Sequence, residues 1–512
     1  MKILRLLLIG SGVLLTAVFM GLVAAVAPPG VIARFGVVIF GVFALLVAWG
    51  FRHRARGETR EAWLDTLSSF VVMMSIAWPP YVFFSAGGLP KVNPFTLSVS
   101  FGLVLLGFCM IYRRGFYAQH FAVLREIRWP MVLFGTWIVW RFICTAASKN
   151  PVAGNVGMLR ELVFTYGVFF YALILCQRGD GIQGLARIVV GCTLFVAGAG
   201  LLEAIEGKNR FAPLAGVADA GESGSAVASI IGEKIRGGAF RAQSVFSHPV
   251  VFGQYLGGAA PIVFIAALLD KNRLWRLIAL VTLPLILLGV YKSGSRSGLL
   301  ALAVSGAILL GFLWVRIVVS SRKYRGFALA AVPVVLVLFS FVYGFGEQLV
   351  LGKSSVEHSS SLVRVFQMHT AMRAIGDSPL MGFGQGAANG IAGVIGGGGV
   401  LTMDVYYIDV LLQAGWPGAV LFLLMVSTSI VVVMREFSRS VADSRYYLPA
   451  FGAAMVSVLV TSIGVGTSSN MLLMALCMAA VAASRKESRV RETAAAQVKA
   501  DAGRALAAAV QR

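Results

Sequence analysis

Apolar residues along this chain come in long runs separated by short polar segments. A helix needs about 20 apolar residues to cross the hydrocarbon core of a bilayer, and about fourteen runs meet that length. They lie near 4–26, 31–50, 67–86, 95–112, 129–147, 159–176, 185–205, 249–269, 275–291, 298–319, 327–345, 405–433, 447–464 and 469–484. The pattern predicts an all-α, polytopic integral membrane protein. Residues 1–484 form a single membrane domain and 485–512 a basic cytoplasmic tail. The opening MKILRLLLIG has the charged-then-apolar look of a signal peptide, but its run continues to Val26. That exceeds the roughly 7–15 residues of a signal h-region, so the segment reads as an anchor that stays.

The polar segments carry the orientation. Counted from a cytoplasmic N-terminus with Lys2 and Arg5, each inside connection is basic. They hold Arg52, Arg54, Arg56 and Arg60; Arg113, Arg114, Arg125 and Arg128; Arg178; Lys271, Arg273 and Arg276. Further on come Arg322, Lys323 and Arg325, then Arg435, Arg439 and Arg445, and in the tail Arg485, Lys486, Arg489 and Arg491. Lys and Arg concentrate in cytoplasmic loops, and a single missed span would invert everything after it. Both termini are expected in the cytoplasm.

Two outside connections are long, about 206–248 and 346–403, and rich in Gly and Ser. The second predicts a short amphipathic helix. Ser361 would cap it, and Leu362, Val365, Phe366 and His369 share one face at helical spacing. Pro379 and the glycines of MGFGQG end it. Such a helix beside a membrane lies on the interface or roofs a cavity.

Composition agrees: 58% of residues are hydrophobic and 13% charged, against roughly 45–50% and 25% in ordinary soluble domains. The net charge of +22 would suggest nucleic acid in a soluble protein. Here the basic residues sit between apolar runs and set orientation, so no nucleic-acid partner is expected. Cys109, Cys144, Cys176, Cys192 and Cys477 all lie in apolar runs without metal-ligand spacing. They read as small buried hydrophobes. No metal cluster, nucleotide loop or haem motif appears, and no cofactor or metal is expected.

Four outside segments hold charge at span ends, where charge is costly. In GGAFRAQSVFSHPVVFGQYL, Arg241 and His248 arrive just before a span, with Ser247 a candidate N-cap and Pro249 in the first turn. An ordinary helix start and a functional site fit equally. In YKSGSRSGLLAL, Arg296 and Lys292 flank a Ser/Gly turn. A guanidinium beside open amides suits a phosphate, and a snorkelled anchor is the alternative. In SSSLVRVFQMHTAMRAIGDSPLMGFGQG, Arg364 lies opposite the apolar face, while Arg373 near the end suits the helix dipole. In MDVYYIDVLLQAGWPGAV, Asp404 and Asp409 stand where the loop returns to the membrane. Asp404 reads as a general base or as a charge favoured by the helix dipole. Several arginines on one side imply a ligand with a phosphate or diphosphate. Chemistry outside the cytoplasm cannot draw on ATP, so an activated lipid-linked donor is expected.

These segments resemble, in order, the motifs of the O-antigen ligase and Wzy-type polysaccharide polymerase superfamily of bacterial inner membranes. FSHPVVFGQYL is similar to F-G-x-P-N-x-L/F-G/A, with Val250 in place of Asn. SGSRSGLLAL looks like S-R-S/G-G-x-x-A/G-L, and the Arg364–Gly386 string is similar to R-x-x-x-W/H-x-x-A-x-x-x-I-x-x-x-P-L-x-G-x-G. DVYYIDVLLQAGWPG resembles H-N-x-Y-L-x-x-L-x-E-x-G-x-x-G. The likeness covers roughly residues 240–420; before that the chain matches only as a series of spans.

The resemblance implies transfer of a glycan from a polyprenyl-diphosphate carrier to an acceptor sugar on the periplasmic face of the inner membrane. Arg241 and Arg296 would hold the diphosphate. His248, Arg364, Tyr407, Lys292 and Arg373 would line the substrate, and Asp404 falls where the ligases carry their catalytic His. Val405 replaces the Asn that follows it. That departure favours a polymerase of exopolysaccharide, capsule or O-antigen units over an O-antigen ligase, with a lipid-linked oligosaccharide flippase as the reading from another class. The implied partners are the polyprenyl-diphosphate-linked oligosaccharide, an acceptor glycan, membrane lipids, a chain-length regulator and a flippase.

Overall fold

The structure is a computed structural model. It describes residues 62–83, 93–177, 181–212, 234–236, 238–320, 355–395, 401–439, 446–462, 471–486 and 497. The expected spans 4–26, 31–50 and 327–345 lie outside the described residues, as does most of the tail.

Helices stand where the apolar runs predict them. They are α1 (Ala62–Ala77), α2 (Pro94–Tyr112), α3 (Arg128–Ala146), α4 (Pro151–Cys176), α5 (Gly181–Glu206), α6 (Pro249–Leu269), α7 (Arg273–Lys292) and α8 (Arg296–Ser320). After the second long loop come α10 (Tyr406–Arg439), α11 (Tyr447–Thr461) and α12 (471–486). Among the described residues, eight helices are long and apolar enough to span a membrane. The protein is an all-α, multi-pass membrane protein. A further helix, α9 (Ser355–Ala374), lies in the second loop, where the amphipathic helix is expected.

Local chemistry sets several ends. Asn93 and Thr96 form a reciprocal capping box ahead of α2, and Asn272 accepts from Leu274 N at 2.9 Å to start α7. α4 carries a π-helical turn at Leu162–Tyr166. Two short hairpins, β1 (Ile235–Arg236) with β2 (Ala239–Phe240) and β3 (Val394–Ile395) with β4 (Leu401–Thr402), sit in the long loops. The sequence reading did not anticipate them.

α6 is the central helix. It packs against α5, α7, α8 and α11, and nearly its whole surface is buried. Gly253, Gly257 and Gly298 allow close approach of α8, because a Cβ on Gly257 would stand 2.6 Å from Leu302 N and one on Gly298 2.9 Å from the Gly253 backbone. α6 can sit inside the bundle because it is apolar on all sides.

Buried polar contacts define two ends. At one end the buried Asp270 pairs with Arg187 at 2.8 Å and accepts from Tyr447 Oη, while Ser484 donates to Glu436 and Lys486 to Gln177. The basic connections 113–128, 271–276 and 435–439 fall at this end. At the other end, Gln254 donates to Thr461 O, Tyr407 to Leu459 O and Ser457 to Ala301 O. The starts of α6, α8 and α10 thus gather around the C-terminal end of α11.

Two details of the loop helix differ from expectation. α9 begins at Ser355, so Ser361 lies within it rather than capping it. The face bearing Leu362, Val365, Phe366 and His369 is exposed, and Gln367, Ala371 and Ile375 are buried instead. Gln367 turns inward to hydrogen-bond Thr402 O and Asp404 N just ahead of α10, and Ala371 packs in one apolar cluster with Ile408 and Leu412 of α10.

Candidate functional site

The first two motifs meet at one turn. The segment before α6 runs over the Lys292–Arg296 connection: Ala242 N donates to Lys292 O at 3.0 Å, and Arg241 Nε donates to Ser293 O at 2.8 Å. Gly294, with φ +56, leaves the space in which the Arg241 side chain lies. Arg296 opens α8 two residues later, half-buried. Much of the Ser/Gly pattern around it serves the turn itself. Ser295 Oγ accepts from Gly298 N, Ser293 Oγ accepts from Ser295 N, and Gly253 of α6 abuts the turn. Those amides are used internally, so a phosphate here would be met by side chains more than by an amide nest.

His248, not Ser247, caps α6: its Nδ1 accepts from Val250 N at 3.2 Å. Its edge is exposed. Surrounding protein first, then the positive charges of Arg241 and Lys234, hold its imidazole below the ordinary histidine range. Lys234 is likewise lowered, by burial and then by Arg241. Lys234, Arg241 and His248 therefore form one electropositive neighbourhood beside the Arg296 turn. Lys292 is exposed at its rim.

The third and fourth motifs also meet. Arg364 on α9 exerts its charge on Asp404, just ahead of α10. Burial pushes the Asp404 carboxyl above the usual aspartate range, and Arg364 partly offsets this. Nε of Arg364 is buried and has no hydrogen-bond partner among the described residues. The pair is held by Gln367, which is fully buried. Its amide donates to Thr402 O at 2.9 Å and its carbonyl accepts from Asp404 N at 3.1 Å. Gln367 escaped the sequence reading; its only signal was a polar residue on the helix face that turns out to be buried.

Other expected residues have different surroundings. Arg373 is exposed in the last turn of α9, where a cation suits the dipole. The Tyr407 hydroxyl donates to Leu459 O at 2.6 Å and its ring packs against Phe422, tying α10 to α11. Asp409 accepts from Gln413 Nε2 at 2.7 Å inside α10.

A buried network absent from the sequence reading supports this end. Arg141 of α3, almost fully buried, donates through Nη2 to Glu161 at 2.9 Å, to Gln413 at 3.0 Å and to Gln385. Its guanidinium carbon stacks 4.6 Å from the Trp137 ring. Gln413 stands where the resembled motif has Glu. Its amide accepts from Arg141 while donating to Asp409, which an ionised Glu cannot do. The 382–385 loop threads between α3 and α10, with Phe383 N donating to Leu412 O and Gly384 N to Gln413 O. The glycines of MGFGQG thus have a packing duty: Gly382, φ +65, leaves no room for a Cβ against Leu412 O.

No curated protein matches the chain. Residues 280–423 match the family model described as O-antigen ligase. That region holds Arg296, Arg364, Asp404 and Tyr407 but begins after Arg241 and His248. The family implies a glycosyltransferase-like enzyme acting on a lipid-linked glycan and an acceptor. Over residues 280–423, which hold the last three of the four motifs, this multi-pass membrane protein is thus similar to the O-antigen ligase family.

Proposed function

We propose that the protein is a polysaccharide polymerase. It transfers polyprenyl-diphosphate-linked glycan units on the periplasmic face of the bacterial inner membrane, building exopolysaccharide, capsule or O-antigen. The observation that carries this reading is the gathering at one end of the bundle of two groups: Arg241 on the turn that opens into Arg296, and Asp404 bound through its N–H to Gln367 on the helix that carries Arg364. That end lies opposite the basic connections, and Lys and Arg favour the cytoplasmic side.

In this mechanism Asp404 takes the proton of the acceptor hydroxyl as its oxygen attacks the donor's anomeric carbon. The bond from that carbon to the diphosphate oxygen breaks, and the electron pair leaves with the polyprenyl diphosphate. Arg241 and Arg296 neutralise the charge that develops there. His248, held neutral, and Lys292 border the donor; Arg364 partly offsets the burial that raises the Asp404 pKa; Tyr407 and Arg373 frame the acceptor side. Arg296→Ala is expected to abolish polymer while lipid-linked units accumulate on the outer leaflet. Polymer of normal length in that variant would refute the reading.

The description of the matching family favours a second reading, ligation of glycan to lipid A core. Deletion of the gene separates the two. A ligase leaves lipid A core with free ends beside full-length lipid-linked polymer; a polymerase leaves single repeat units.

A further inference from the structure

Arg241 and His248 sit on a stretch without regular structure, and something must hold it. Behind it lies Glu203, in the last turn of α5, with 1% of its surface exposed. Its two carboxylate oxygens accept from successive backbone amides, Gln243 N at 3.3 Å and Ser244 N at 2.6 Å. Successive amides converging on one anion form a nest, and here the protein fills the nest with its own carboxylate. Ser244 adopts φ +53, and it is the one non-glycine residue with positive φ among the described residues. L side chains rarely take that conformation, so it persists only where surroundings impose it. Three contacts do so besides Glu203: Ser244 Oγ donates to Val196 O at 2.7 Å, the Tyr81 hydroxyl donates to Ser244 O at 3.0 Å, and Asn209 donates to that hydroxyl. All of these groups are buried.

We infer that Glu203 is a positioning residue for the donor site: by clamping the Gln243–Ser244 amides it aims Arg241 at the Arg296 turn. The segment is pinned on both sides. Glu203 holds residues 243–244 from beneath, and the turn holds 241–242 from the front through Ser293 O and Lys292 O. A residue with no catalytic contact thereby sets where the guanidinium points. This inference rests on the proposed role of Arg241 toward the diphosphate.

The test is a double-mutant cycle in full-length protein, reading kcat/KM for purified polyprenyl-diphosphate-linked repeat units. Glu203→Gln keeps size but turns an amide N–H toward one of the two backbone donors. It is expected to lower kcat/KM roughly tenfold, the scale of one buried charged hydrogen bond. Arg241→Lys is expected to do the same, since lysine lacks the fork. If Glu203 acts through Arg241, the double variant falls no further than Arg241→Lys alone. A general structural role predicts multiplied losses, and that result overturns the inference. So does wild-type kcat/KM in Glu203→Gln when Arg241→Lys is impaired, which leaves the functional reading standing. Wild-type kcat/KM in Arg241→Lys removes Arg241 from the donor site and overturns the inference with it, whereas Arg296→Ala tests the polymerase reading separately. Should Glu203→Gln fail to fold, Tyr81→Phe probes the same latch from the opposite side and must show the same non-additivity.

Discussion

At the scale of single residues, Asp404 is the most informative side chain. A general base contributes roughly 10²–10⁴-fold, so Asp404→Asn should lose activity on that scale, as severely as Asp404→Ala. Full activity in the Asn variant would reduce the carboxylate to a hydrogen-bonding group. Its raised pKa adds a pH signature: a carboxylate protonated at higher pH than usual stops working as a base when pH falls through that raised value. The acid limb of the polymerisation rate should therefore lie above the ordinary aspartate range. Arg364 lowers that pKa, so Arg364→Gln should move the limb to still higher pH; a shift in the other direction would contradict the pairing. Arg364 and Asp404 were both legible as candidates because charge at a span boundary stands out. Their pairing was not, since they are separated by a loop whose path only Gln367 and the neighbouring hairpin define.

At the scale of elements, the end of α10 that faces the site depends on a backbone kink. Gly415 has φ +66 within α10, and an added Cβ would strike Leu380 O. Trp416 N is left to donate to Pro379 O at 2.9 Å. Gly415→Ala combines left-handed strain with a clash against backbone that cannot yield. It should cost at least ~1–3 kcal/mol, read as a lower melting temperature in detergent together with lost polymer. An unchanged melting temperature would mean that the kink is not required. The glycines of MGFGQG and GWPG were visible as a motif, and their conformations explain the pattern: they let the loop lie directly on α10. The apolar stripe of α9 was legible too, but not which face would be buried. Periodicity identifies an amphipathic face without saying what lies beneath it.

At the scale of the whole molecule, Arg141 joins α3 and α4, which the family match does not include, to the loop and α10, which it does. Removing one partner of a buried ion pair strands the other charge at a cost of about 3–5 kcal/mol. Arg141→Met should lower the melting temperature strongly, and a second change, Glu161→Met, should recover part of the loss. Two-sidedness can be tested with single cysteines, since the five natural ones are buried. Asp377 and Lys271 are exposed at opposite ends. In spheroplasts a membrane-impermeant maleimide should label Asp377→Cys, and Lys271→Cys only after permeabilisation. The reverse pattern would invert the proposed orientation.

The sequence by itself determined the class and the layout: long apolar runs make helices in lipid, and basic residues recur at one end of them. It also determined the order of the motifs, because spacing along the chain is a property of the chain. Only the tertiary structure decided which motifs share a location. Arg241 reaches the Arg296 turn from more than fifty residues away, and Glu203, Gln367 and Arg141 matter through partners remote in sequence. Hydropathy reports how a residue meets solvent or lipid. It carries no information about which distant backbone amide or side chain a buried polar group will find, and at this end of the bundle those pairings build the candidate site.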